Sequence, residues 1–73
     1  MSTVVKSRIQ GEFHGWSGDG VYQLANGQVW QQVRYKYRYK YKYRPRAIVV
    51  KNGSSKFLHV DGMPEGIQVR RIA

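Results

Sequence analysis

Between Arg34 and Arg44 the chain alternates without interruption. Arg34, Lys36, Arg38, Lys40, Lys42 and Arg44 take the even positions, and Tyr35, Tyr37, Tyr39, Tyr41 and Tyr43 the odd ones. Guanidinium and ammonium groups neutralise phosphates, and phenol rings stack on planar groups such as nucleobases. A β-strand sends successive side chains to opposite faces, so an extended backbone gathers five rings on one face and six cations on the other. A helix would scatter both sets around its circumference, and period two alone separates them. Six cations in a row repel one another unless something anionic neutralises them, which points to a polyanion as partner.

The charge is local. The chain carries 13 Lys and Arg against four Asp and Glu, a net charge of +9, yet the Arg34–Arg44 stretch contains six of those cations and no acid. The rest has seven cations against four acids. A concentrated excess reads as a binding face more readily than as a solubility coat. Alternate side chains on a strand stand about 6.5–7 Å apart, a spacing suited to successive phosphates of DNA or RNA. Arg46 follows directly and is expected to assist. No base-reading motif is present, so contact is expected to be sequence-tolerant and salt-dependent. The competing explanation is a solvated edge whose Lys and Arg deter strand-to-strand aggregation.

The rings admit two arrangements. Exposed, they would stack on bases; inward, they would line a small barrel with their hydroxyls at its rim, and the inward arrangement is favoured. Five Tyr exceed what such an interior needs, so Tyr41 and Tyr43 are expected to be exposed or to pack against another subunit. Trp30 shares the parity of the cations if the strand is unbroken, and would then be a stacking platform beside them; a buried Trp is the commoner case and is favoured. Trp16, in the Gly-rich loop expected over Gly15–Gly20, is either a lid over the core or a ligand contact.

Other chemistry finds little support. His14 and His59 are the two imidazoles, no acid stands at metal-site spacing from either, and there is no Cys. No metal or cofactor is therefore expected. Asp19 sits where Asp ordinarily shapes a turn. The Gly-rich stretch superficially suggests a phosphate loop, but no helix follows to supply a dipole. Without a nucleophile–base–orienter set or a carboxylate pair, an enzyme is not expected. No apolar stretch is long enough to cross a membrane and the first residues form no signal-peptide core. The cytoplasm is the expected compartment, in keeping with the lack of Cys.

The elements that position these residues are read from turn signals. The 73 residues suffice for one domain, spanning 1–73, which buries only about 60% of the surface its unfolded chain exposes. Val4 to Phe13 is a mixed β-run with a bend at Gly11. Val21 to Ala25 is a short strand, and Asn26–Gly27 predicts a type I′ hairpin. From Gln28 nothing interrupts the strand until Pro45. Those 17 or so residues would span roughly 55 Å, against a radius of gyration near 11 Å for a domain of this size. Coiling around a barrel is the expected solution. Ala47 to Lys51 is an apolar, buried strand. Asn52 to Ser55 is a second hairpin loop, and Lys56 to Val60 pairs back with Leu58 and Val60 on one face. Asp61 to Gly66, with Pro64, makes a tight connection with one 3₁₀ turn, and Ile67 to Ile72 closes the fold. The sum is an all-β, five- to six-stranded SH3-like barrel with one long, bent central strand; an OB-type barrel is second, since it usually needs a helix.

The pattern Gly11-Glu12-Phe13-x-Gly15-Trp16-x-Gly18-Asp19, then Leu24-x-Asn26-Gly27-Gln28-x-Trp30-Gln31-Gln32, then the Tyr-alternating run ending Tyr43-Arg44-Pro45, resembles a group of small bacterial proteins of uncharacterised function. The resemblance covers most of the chain. It implies an SH3-like fold and carriage on mobile gene cassettes. It also implies that the Tyr face belongs to the fold and the cationic face to this chain, because the even positions in that group are often small or polar. The small basic SH3-like chromatin proteins of archaea, which lay a sheet on DNA, offer an analogy at the level of fold. Two alternatives to nucleic-acid binding stand beside it. One is a self-assembling or protein-interaction module whose long strand pairs with a second copy. The other is a barrel that captures a small ligand between Trp16, Trp30 and Tyr rings.

Overall fold

Turns fall at Asn26–Gly27 and Gly53–Ser54 as the sequence places them, but the loop expected from Gly15 to Gly20 does not begin at Gly15, because Gly15, Trp16 and Ser17 belong to a strand. The computed structural model describes residues 2–18, 20–63 and 65–73; Asp19 and Pro64, both expected in turns, lie outside the described residues. The elements are β1 (Ser2–Arg8), β2 (Glu12–Ser17), β3 (Val21–Gln23), β4 (Val29–Gln32), β5 (Tyr37–Tyr43), β6 (Arg46–Asn52), β7 (Ser55–Val60) and β8 (Ile67–Arg71). The fold is all-β, with eight strands where five to six were expected. No described residue is helical, and no helix is long and apolar enough to cross a membrane; the 3₁₀ turn expected over Asp61–Gly66 falls partly on Pro64, outside the described residues.

Six strands make one antiparallel sheet in the order β1-β6-β7-β8-β4-β3, and β2 pairs with β5 in a separate two-stranded ribbon. The edges of the large sheet meet at one point. Ile9 bridges Leu24, flanked by hydrogen bonds from Gln10 N–H to the Gln23 carbonyl (2.8 Å) and from Ala25 N–H to the Arg8 carbonyl (2.7 Å).

Both hairpins form. At Asn26–Gly27 only the Gly has positive φ (+93°), so the expected type I′ turn, which needs two such residues, is replaced. Gly27 N–H bonds the Leu24 carbonyl (3.0 Å) and Asn26 Oδ1 accepts from Gln28 N–H (3.0 Å). Gly53 (φ +65°) and Ser54 join β6 to β7, with Asn52 opposite Ser55.

The core lies between the large sheet and the inner face of β2. Ala47 and Val49 of β6, Leu58 and Val60 of β7, and Ile67 and Val69 of β8 face Phe13 and Trp16 of β2, with Ile9, Tyr22, Leu24 and Trp30 completing it. Phe13 and Tyr22 meet the Trp16 ring at centroid distances of 5.4 and 5.6 Å, the first pair at 81° and the second at 87°. Trp16 and Trp30 are 1% and 2% exposed. Burying a ring of that size contributes roughly 4–6 kcal/mol as an upper bound.

The uninterrupted strand from Gln28 to Arg44 does not exist. It divides into β4 and β5, in different sheets, around Val33–Lys36. Gln32 sits at this corner and is 4% exposed. Its Nε2 donates to the carbonyls of Arg34 (2.9 Å) and Lys36 (3.0 Å), while its Oε1 accepts from the Tyr22 hydroxyl (3.1 Å). A side chain that satisfies two backbone carbonyls removes the need for a ladder there. The chain turns a corner there, within dimensions of 30 × 25 × 22 Å.

Candidate nucleic-acid interface

β5 carries Tyr37, Arg38, Tyr39, Lys40, Tyr41, Lys42 and Tyr43, and none of the seven is buried. The rings are not barrel lining, contrary to the arrangement favoured from sequence. Tyr35, Tyr37, Tyr39, Tyr41 and Tyr43 are exposed by 83, 68, 65, 49 and 68%. The reason is the division at Gln32: β5 leaves the large sheet and packs through β2 alone, so its own side chains are not needed inside.

The register of the ribbon slips once, where the single His14 of β2 stands opposite two residues of β5, Lys40 and Tyr41. The ribbon pairs Phe13 with Lys42, Gly15 with Tyr39, and Trp16 with Arg38. Phe13 and Trp16, three residues apart, both face the core. Their partners Lys42 and Arg38 are four apart and share a face. Gly15 (φ +96°) absorbs the mismatch; a Cβ there would run into the Arg38 carbonyl oxygen. Arg38 and Lys42 thus lie on the core side of the ribbon, and Tyr37 and Tyr43 lie opposite, across from Ser17 and Glu12.

On the cationic side two groups are engaged within the molecule. Lys36 Nζ lies 2.6 Å from Glu65 Oε2, and Arg34 Nε donates to Gln68 Oε1 at 2.7 Å. Lys42 is half-buried against Gly62, where a Cβ would sit 2.5 Å from its Cε and Nζ. Arg38, Lys40, Arg44 and Arg46 are exposed and form no ion pair among the described residues. Arg44 ends β5 in the left-handed region (φ +49°), its N–H bonded to the Gly11 carbonyl (2.8 Å), and turns the chain into Pro45 and β6.

Sequence reasoning missed Arg8. It pairs across from Arg46 in the β1–β6 ladder, and its Nη1 donates to the Arg44 carbonyl at 3.3 Å. Like charges directly opposite on a sheet are mutually unfavourable. The register that brings them together spans 38 residues of sequence, so no local signal marks it.

On the ring side His14 and Glu12 of β2 join the Tyr row. The His14 ring lies 5.4 Å from that of Tyr41 and 6.4 Å from that of Tyr39, and its Nε2 is 3.5 Å from Glu12 Oε2. Tyr41 Oη donates to Glu12 Oε1 at 3.4 Å. Partial desolvation first, then the Glu12 charge and hydrogen bond and the neighbouring Tyr43 and Tyr39, raise the Tyr41 hydroxyl above its ordinary 10.0.

Trp30 is not at this surface. It sits in the core, its Nε1 donating to Gln28 Oε1 at 3.2 Å, with Lys56 Nζ 5.9 Å from its ring centroid. The parity argument failed because it was carried through the break at Val33–Lys36. Trp16 is core as well, so the small-ligand arrangement between Trp16, Trp30 and Tyr rings does not form. The open depression of about 510 Å³ beside Tyr35 is lined by Arg34, Lys36, Phe57 and Gln68 and contains neither Trp. Among the described residues no three of His, Cys, Asp and Glu gather as a metal site.

Comparison with protein-family models, with curated proteins and with solved structures finds no match to this chain.

Proposed function

We propose that the chain is a sequence-tolerant nucleic-acid-binding module built on an SH3-like barrel, with β5 and the adjoining β6 corner as its contact surface. The barrel reading is supported by the Ile9–Leu24 bridge between the sheet edges. The binding reading rests on one observation. Of the six cations from Arg34 to Arg44, only Lys36 is paired with a carboxylate among the described residues. Arg38 and Lys40 at mid-strand, with Arg44, Arg46 and Arg8 at its end, then contact phosphates. Lys42 leans on Gly62, and Arg34 and Lys36 lie at the periphery, part-occupied by Gln68 and Glu65. No catalytic role, cofactor or metal enters this reading.

Binding of labelled DNA measured at rising salt tests it. Affinity should fall linearly on logarithmic axes, with a slope of about 0.7–0.9 for each phosphate neutralised. Replacing Arg38 and Lys40 together with Gln should flatten the slope by about 1.4–1.8. An unchanged slope assigns binding to another surface, and absence of binding at low salt removes the proposal.

One observation favours self-association as a second reading. β5 is hydrogen-bonded to β2 alone, leaving its other edge open to a strand from another copy. Sedimentation at several protein concentrations separates the two: a salt-insensitive dimer without nucleic-acid affinity supports the second.

A further inference from the structure

Resting on the nucleic-acid reading, we propose that the ligand is a single strand, whose bases enter the ladder formed by Tyr37, Tyr39, Tyr41 and Tyr43 while its phosphates follow the open edge of β5. A surface that met phosphates alone would need only the cations. The rings are a separate feature that neither the core nor the phosphates explain. All four are exposed by about half or more, and Tyr37 and Tyr43 make no hydrogen bond and no ring contact among the described residues. Exposed apolar surface in one patch ordinarily marks a binding site.

The spacing favours bases over other planar partners. Alternate residues of a strand stand about 6.5–7 Å apart. Stacked bases rise about 3.4 Å per layer. One base between two successive rings fills two such layers, so four rings offer three gaps in step with a splayed strand. His14, against Tyr39 and Tyr41, broadens the platform beside the middle gap. A duplex keeps its base faces stacked and presents phosphates instead, and opening it costs pairing and stacking energy. Double-stranded ligand therefore gains nothing from the ladder.

The open edge lets both halves of a nucleotide be served. Arg38 and Lys40 stand on the opposite face from the rings, but no strand lies beyond β5 to block them. Their long apolar stems can bend round that edge and hold the charged heads beside a backbone running along it. Glu12, hydrogen-bonded to Tyr41, repels phosphate at that end. The Tyr37–Tyr39 gap is therefore the one that binds most strongly.

The test compares three probes of equal length by fluorescence anisotropy: labelled oligothymidylate, an abasic strand of the same charge, and a duplex. Oligothymidylate should bind at least tenfold tighter than the abasic strand. Tyr37→Ala and Tyr39→Ala should each weaken oligothymidylate binding by about five- to a hundredfold, leave the abasic strand unaffected, and be rescued by Phe at the same position. The emission of buried Trp16 and Trp30 checks that each variant is folded. Equal binding of all three probes, with the Ala variants silent, overturns the ladder and leaves the phosphate contacts of Arg38 and Lys40 standing. Failure of every probe to bind at low salt overturns both.

Discussion

β6 and β5 are both seven residues long, and their surroundings are opposite. β6 pairs on one side with β1 and on the other with β7, and it turns Ala47 and Val49 into the core. β5 pairs on one side only and leaves every side chain at least partly in water. The residues of β6 are those that close packing requires. Packing requires almost nothing of β5, so its strict Tyr/cation alternation is not a by-product of folding. A polar, irregular edge strand would serve the fold equally well.

The widest gap between the two regions should appear in core and ring truncations. Leu58→Ala is expected to lose about 2–5 kcal/mol of stability, measured by urea unfolding, while Tyr39→Ala stays within about 0.5 kcal/mol of the parent. Equal losses would mean that the ring row holds the fold together and would break the comparison. Gly15→Ala comes next. A non-Gly residue at φ +96° costs about 1–3 kcal/mol, and the methyl also meets the Arg38 carbonyl. A combined loss above about 2 kcal/mol is expected; a neutral result would show that the ribbon shifts freely and that its two faces are not fixed. Gln32→Leu should cost about 1–3 kcal/mol, because it removes the donor to Arg34 and Lys36 and one acceptor of the Tyr22 hydroxyl, which also reaches the Gly15 carbonyl. Retained stability would show that the corner does not depend on that amide.

The smallest effect is electrostatic. The Tyr41 hydroxyl is raised in the folded chain. The folded state thus favours the neutral phenol. Its small contribution is complete below the unfolded value near 10.0 and is lost as pH climbs through the higher folded value. Phenolate absorbance during alkaline titration should show a Tyr41 component ionising above 10.0, and Glu12→Gln should bring it down. No change on that substitution would deny Glu12 its influence on the ring row.

What could be read from sequence was local. The alternation over Tyr37–Tyr43, the hairpins at Asn26–Gly27 and Gly53–Ser54, and a strand over Ala47–Lys51 depend on near neighbours and are present, although within that strand only Ala47, Val49 and Val50 are buried. What could not be read depends on distant partners. Gln32 looks like an ordinary polar strand residue until Tyr22 arrives to orient its amide. The reading of Trp30 beside the cations carried parity through the corner where this amide sits. The exposure of the Tyr row follows from the same corner, and Arg8 reaches Arg46 through a ladder that no short motif announces. The number of strands was underestimated because the run from Gln28 divides at this corner and the run from Val4 divides at Gly11 into β1 and β2, while the all-β character was read correctly.

An edge strand with no buried side chain can be rewritten. Within β5 the side chains that touch the rest of the molecule are Lys42, against Gly62, and Tyr39 and Tyr41, against His14 and Glu12. Grafting other alternating pentapeptides into positions 37–41 would display them on a frame whose hydrophobic interior never senses the exchange, which makes this small domain a ready carrier for selected recognition ladders.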